Sequence, residues 1–160
     1  MPDMLVKLYD LPPLEPALVA AARHGCLIRR VLAEDKLPVL AWVQANFPSW
    51  AAEAGVACAN VPPTCFVARR GQAVVGFACY DATCPNFFGP TGVAENQRGL
   101  GIGRALLLAA LHAQRAQGYA YSIIGGVGPA AYYARAVGAV VIEGSTPGIY
   151  PGRLQPAPDA

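Results

Sequence analysis

The chain has 160 residues, 54% of them hydrophobic and only 14% charged, so it can enclose a core as one domain and is too apolar to stay disordered. Its formal net charge of +2 is spread over scattered arginines, which leaves no basic stripe for a polyphosphate backbone, and nucleic acid is not expected as a partner. The first residues carry acids and prolines where a secretory signal needs a cationic end and an apolar run, and no stretch reaches the ~20 clean apolar residues of a membrane helix. A cytoplasmic, membrane-free protein is the expectation.

The five cysteines, Cys26, Cys58, Cys65, Cys79 and Cys84, are an odd set without a C-x-x-C pair. That pattern suits neither a zinc site nor a disulfide framework, and no metal is expected. Cys65 and Cys79 fall inside predicted strands, where the thiol serves as a small apolar filler.

Residues 1–25 read as an N-terminal extension: an extended piece from Leu5, then a short alanine-rich helix to Arg23, closed by Gly25. Cys26–Val31 reads as a strand, and Ala33-Glu34-Asp35 opens a helix through Asn46, since acids favour a helix N-terminus. Phe47-Pro48-Ser49 ends it, and a second short helix follows from Trp50 to Gly55, before a loop with Pro62 and Pro63. Thr64–Arg70 and Ala73–Tyr80 flank the Gly71-Gln72 turn as an antiparallel hairpin rich in β-branched and aromatic residues.

Phe87–Val93 supplies another strand, in which Gly89-Pro90 breaks regular pairing because proline cannot donate to the ladder. A long helix from Leu100 to Gln117 ends at Gly118. Tyr119–Val127 then reads as a buried strand, Pro129–Val137 as a helix with proline in its first turn, and Ala139–Gly144 as a strand. A last strand is expected around Gly148-Ile149-Tyr150, followed by a fraying tail over 153–160.

The strongest chemical signal is Gln97-Arg98-Gly99-Leu100-Gly101-Ile102-Gly103-Arg104, between a strand and a long helix. Such a loop presents unpaired N–H groups at the positive end of a helix, and glycines let a phosphate come close because no Cβ intervenes. A P-loop needs G-K-[ST], but Gly103 is followed by Arg104-Ala105. A dinucleotide turn needs a last glycine or alanine, where Arg104 or Leu106 stands. What remains is R-x-x-G-x-G, filled by Arg98, Gly101 and Gly103.

In this motif and in the order of elements from Cys26 to about Tyr150, the chain resembles the GNAT N-acetyltransferases. The resemblance implies an α/β (α+β) fold, a single GNAT-type domain over 26–152 with a mixed, mostly antiparallel central sheet flanked by helices. It implies acetyl-CoA as cosubstrate, with backbone amides from Arg98 through Gly99, Leu100, Gly101, Ile102 and Gly103 to Arg104 around its pyrophosphate. Val93 would pair with the pantetheine arm and Thr91 would lie beside the acetyl carbonyl. Where many relatives carry an asparagine before the following helix, this chain has Gly126.

In the aromatic-Tyr pair that the family places in the helix after its fifth strand, Tyr133 matches the tyrosine, although four residues rather than three separate it from Gly138. Aminolysis of a thioester develops an oxyanion and expels a thiolate, and a phenol can protonate that sulfur. Tyr133 is thus the candidate acid. No carboxylate stands on Phe87–Val93, which leaves Asp81 as the candidate base by proximity in sequence. The acceptor pocket of the family maps onto Trp50, Glu53 and Tyr150, where an aromatic face and one acid can attract an ammonium group. His112 is expected to face solvent and His24 to lie in a turn, neither with a catalytic role.

The reading is an N-acetyltransferase acting on a primary amine of a small molecule, an amino sugar or amino acid derivative. A protein N-terminal acetyltransferase and a non-catalytic acyl-CoA-binding module stay open as alternatives, and a homodimer is compatible with the sequence.

Overall fold

The computed structural model describes residues 1–150, 152, 154 and 155. A seven-stranded sheet in the order β2-β3-β4-β5-β6-β1-β7 forms the middle layer, antiparallel throughout except for the parallel pair β5–β6. Its strands are β1 (Met4–Lys7), β2 (Cys26–Arg30), β3 (Cys65–Arg70), β4 (Ala73–Tyr80), β5 (Phe87–Val93), β6 (Tyr121–Ile124) and β7 (Val140–Val141). Helices α1 (Glu15–Ala22), α4 (Ile102–Ala116) and α5 (Ala130–Val137) share one core with one face of the sheet, and α2 (Lys36–Asn46) and α3 (Ala51–Ala59) cover the other.

The alternation along β4 shows why both faces are covered. Phe77 and Cys79 enter the core under α2 and α3, whereas Ala78 and Tyr80 enter the core under α4, all of them fully buried. Cys65 and Cys79 are direct partners across β3 and β4, and all five cysteines are free. The Cys58 thiol is pushed up by its hydrogen bond with Cys65 and by burial, which keeps it an inert filler. Helix α4 is buried on most of its circumference, from Ile102 to Leu111 with only Gly103 and Arg104 spared, so it is the spine of its core.

The segment read as an add-on is woven into the sheet. β1 lies between β6 and β7, pairing Met4 with Ile124 and with Val141. The strand expected around Gly148–Tyr150 is not formed; Pro147 and Gly148, the latter at φ +67°, turn the chain there. β6 is also shorter than expected, because Gly125 and Gly126, the latter at φ +55°, bend the chain after Ile124. Among the other expectations, His112 is half-buried and its Nε2 lies 2.8 Å from the Pro12 carbonyl oxygen, rather than facing solvent. The tail expected over 153–160 lies, apart from Leu154 and Gln155, outside the described residues.

Gly89-Pro90 disturbs β5 in the expected way. Between the pairs Ala78–Thr91 and Tyr80–Phe88, β5 advances three residues while β4 advances two, which is a bulge. On its other edge β5 pairs with β6 only at Phe87–Ile123 and Phe88–Ile124. From Gly89 to Val93 no strand among the described residues lies beside that edge, and the sheet opens into a cleft.

Candidate active site

The cleft has a volume of about 660 Å³ and lies where β5 and β6 part. One wall is β5, with Phe88, Pro90 and Thr91, and the opposite wall is the turn after β6, with Gly125, Gly126 and Val127. Tyr133 of α5 closes one side. Trp50, Glu53, Thr83 and Tyr150 stand at the far end.

Trp50 is held from beneath: its ring stacks on Phe47 at 5.2 Å between centroids, and Phe47 in turn packs on Trp42 and Phe77. Gly92 makes room for this stack, since a Cβ there would come within 2.7 Å of the Phe47 ring. The Glu53 carboxylate accepts a short hydrogen bond from the Thr83 hydroxyl. Burial and then the charges of Glu53 and Asp3 push the Tyr150 phenol above its usual range, against the pull of a hydrogen bond with Thr83. Its hydroxyl packs over Gly125 so closely that a Cβ there would collide with it.

Tyr133 is 9% exposed, with its ring edge-on to Phe88 at 6.4 Å and to Tyr132 at 5.1 Å. Among the described residues its hydroxyl has no hydrogen-bond partner, and burial, aided by the neighbouring Tyr132, pushes it up to about 12. The extra residue before Gly138 is absorbed at the end of α5, where Gly138 takes the left-handed cap at φ +65°.

The glycine-rich loop lies outside the cleft lining, at the start of α4. Gly99 and Gly101 adopt φ +80° and +76°, and Gly101 is the N-cap of the helix without any side-chain capping bond. Among the described residues no backbone or side-chain acceptor takes the N–H groups from Gly99 to Arg104; the first helical bond runs from the Ala105 N–H to the Gly101 carbonyl. A Cβ at Gly99 would meet open space. A run of unpaired donors at a helix N-terminus can hold a phosphate anion, so the residues present fit a pyrophosphate. Helix α5 links loop and cleft: Tyr133 lines the cleft, whereas the Tyr132 hydroxyl would lie 3.8 Å from a Cβ on Gly103.

The structure thus brings Thr91, Tyr133, Trp50, Glu53 and Tyr150 to one cleft, with Val93 at the open end of β5 and residues 98–104 beyond it. Arg98 donates from Nε to the Val93 carbonyl at 3.4 Å, and Arg104 from Nη1 to the Ala136 carbonyl at 3.3 Å. Asp81 is not brought there. It sits at φ +50° in the β4–β5 turn, where its Oδ1 accepts the Asn86 N–H at 2.8 Å and the Gln114 amide at 3.3 Å. Its carboxylate closes a turn, as aspartates with positive φ commonly do. Thr83 and Asp3 were not legible as site residues, because their neighbours in space are distant in sequence. Among the described residues no group of three or more His, Cys, Asp or Glu could hold a metal ion, and no helix is long and apolar enough to cross a membrane.

A mixed sheet that opens between two parallel strands, flanked by helices on both faces, defines an α/β domain. The family model of the acetyltransferase (GNAT) domain matches residues 62–136. The fold is similar to the GCN5-related glucosamine N-acetyltransferase region of a fungal multi-domain GH3 beta-N-acetylglucosaminidase, with a TM-score of 0.74 and 17% identity over 88% of this chain and 19% of that one. It is also similar to GCN5-related N-acetyltransferases from Sphaerobacter thermophilus (TM-score 0.66, 20% identity, 88% of this chain and 48% of that one) and Kribbella flavida (0.53, 16%, 88% and 53%). The chain therefore spans from 19% to 53% of the length of these structures. No curated protein matches it. Family model and fold agree: residues 62–136 match the acetyltransferase (GNAT) domain model, and the sheet and helices share the fold of these structures.

Proposed function

We propose that the protein is an acetyl-CoA-dependent N-acetyltransferase acting on the primary amine of a small molecule. The observation that carries this reading is the run of unpartnered N–H groups from Gly99 to Arg104 at the head of α4, adjoining a β5 edge that no strand covers. Acetyl-CoA would supply the acetyl group as an activated thioester.

The chain's own residues divide the remaining work. The loop amides hold the pyrophosphate, and the exposed edge from Gly89 to Val93 offers backbone groups to the amide-bearing arm. The N–H groups near Thr91 are the donors closest to where negative charge develops on the carbonyl oxygen. Tyr133 stays protonated well above neutral pH, so its hydroxyl donates to the departing sulfur. A phenol near 12 is a weak acid against a thiol near 8.5, but the same apolar surroundings also raise the proton affinity of a thiolate, which keeps the transfer feasible.

At the far end Glu53 is the carboxylate lining the cleft. It attracts the ammonium form of the acceptor and is placed to receive its proton, a role for which Asp81 is poorly placed. The Trp50 face shelters the amine from water. Five free cysteines accord with a reducing, cytoplasmic setting.

Calorimetry with acetyl-CoA, followed by thiol release across a panel of amines, tests the reading. Binding together with thiol release on small amines supports it. Binding without release on any amine would make the protein a non-catalytic acyl-CoA module, and release with peptides alone would make it a protein N-terminal acetyltransferase.

A further inference from the structure

The acceptor end of the cleft has a definite electrostatic character. Glu53 places a carboxylate in the lining, fixed by the Thr83 hydroxyl. Behind the wall lies a second one: Asp3 is 7% exposed, and its carboxylate accepts the Gly126 N–H at 2.8 Å. Tyr150, between these two acids, registers the negative charge of both in the upward push on its phenol. Three arginines are committed to other partners. Arg30 is bonded to the Pro63 carbonyl and the Tyr80 hydroxyl, Arg29 is paired with Asp35, and Arg104 lies at α5.

Among the described residues no Lys, Arg or His lines the cleft. The remaining walls are hydrocarbon and aromatic faces from Trp50, Phe88, Pro90 and Ile124, with neutral hydroxyls from Thr83 and Thr146.

Resting on the acetyl-transfer reading above, we infer that the acceptor is a primary amine on an uncharged frame, apolar or hydroxylated, and that amines also bearing a carboxylate or phosphate are rejected. An ammonium group finds a carboxylate there. A ligand anion would be taken out of water without a cationic partner and set beside Glu53, and both effects act against it. The apolar walls accept a ring or chain, and the hydroxyls suit a sugar-like frame equally well. Of the two acceptor types expected above, this favours the unphosphorylated amino sugar over the amino acid with a free carboxylate.

Matched pairs that differ in the anion alone provide the test: tyramine against tyrosine, cadaverine against lysine, and glucosamine against glucosamine 6-phosphate. Tyrosine amide separates charge from bulk. Affinities are measured by calorimetry in the presence of saturating CoA, and thiol release is measured separately with acetyl-CoA. In every pair that binds, the member without the anion should bind at least tenfold more tightly, and tyrosine amide should behave like tyramine. Thr83→Lys, which adds a cation to the lining, should narrow or reverse the preference, and Glu53→Gln should weaken tyramine and narrow the gap to tyrosine. Equal or tighter binding of the acidic members would overturn the inference, as would failure of every pair to bind. The two readings fail separately. The charge ranking without any thiol release would sink acetyl transfer and leave the cleft's selectivity, whereas release fastest on amino acids or phosphorylated sugars would do the opposite.

Discussion

The Asp3 carboxylate accepts the Gly126 N–H at 2.8 Å across 123 positions of sequence, and this bond holds the turn where β6 leaves β5. Asp3 also donates its own N–H to the Ser145 hydroxyl at 2.8 Å, and its carbonyl accepts the Ile142 N–H. One buried acid thereby fastens both the turn after β6 and the segment that carries Tyr150. Asp3→Ala should remove about 2 kcal/mol, the usual loss for a hydrogen bond to a buried charge, and lower the melting temperature by roughly 5 °C. Acceptor KM should rise with little change in acetyl-CoA affinity, and Asp3→Asn, which keeps an acceptor oxygen, should recover most of both. Equal effects of the two substitutions would show that the bond does not shape the cleft.

Gly101→Glu places a carboxylate and a Cβ at a left-handed position in the proposed phosphate site. The backbone strain is about 1–2 kcal/mol, and the nearest atom to the new Cβ, that of Ala20, is 4.0 Å away, so the fold should persist. Acetyl-CoA binding should fall below detection by calorimetry. Unchanged affinity would remove the loop from the site.

Tyr133→Phe deletes one hydroxyl and almost no volume. Turnover should fall by ~100-fold or more where proton donation limits the rate, with acetyl-CoA affinity nearly unchanged. If Tyr132→Phe had this effect instead, the roles of the adjacent rings would have to be exchanged.

The same tyrosine leaves a signature in stability. Its phenol holds its proton to about 12 in the native state but only to about 10 when unfolded, so the unfolded chain releases the proton first as pH rises. The native state therefore loses stability between pH 10 and 12. Urea denaturation should show a smaller loss over that window for Tyr133→Phe than for the parent, and equal losses would mean that the hydroxyl is solvated.

Glu53→Gln and Asp81→Asn separate an acceptor-binding acid from a turn-forming one. Glu53→Gln should raise acceptor KM and lower kcat most at low pH, without changing acetyl-CoA affinity. Asp81→Asn should leave the pH profile intact and act on stability, since its contacts are the Asn86 N–H and the Gln114 amide. An altered pH–rate profile in Asp81→Asn alone would return the proton to Asp81.

Gly92→Ala tests the support beneath the cleft. The new Cβ would come within 2.7 Å of Phe47, which carries Trp50 on its other side. Overpacking of this kind costs typically 1–3 kcal/mol, and displacement of Trp50 should raise acceptor KM. Unchanged stability and kinetics would show that the aromatic stack is not rigid.

Local chemistry made much of this molecule readable from its residues. β-Branched and aromatic residues on both sides of the Gly71-Gln72 turn, the glycines of 99–103 before an apolar helix, and Gly89-Pro90 within a strand all act over a few residues, and the structure has the hairpin, the uncapped helix start and the bulge at those places. Tyr133 was singled out by resemblance to the family's aromatic-Tyr pair rather than by local chemistry, and in the structure it lines the cleft. What tertiary structure decided was everything that joins distant segments. The insertion of β1 between β6 and β7, the Asp3–Gly126 bond and the Thr83–Glu53 contact carry no local signal, because strand pairing and side-chain capture are chosen by burial and register after the chain has closed on itself. Asp81 marks the limit most clearly: its sequence neighbourhood suits a turn-forming aspartate as well as a base, and the closeness of Asn86 and Gln114 assigns its carboxylate to the turn.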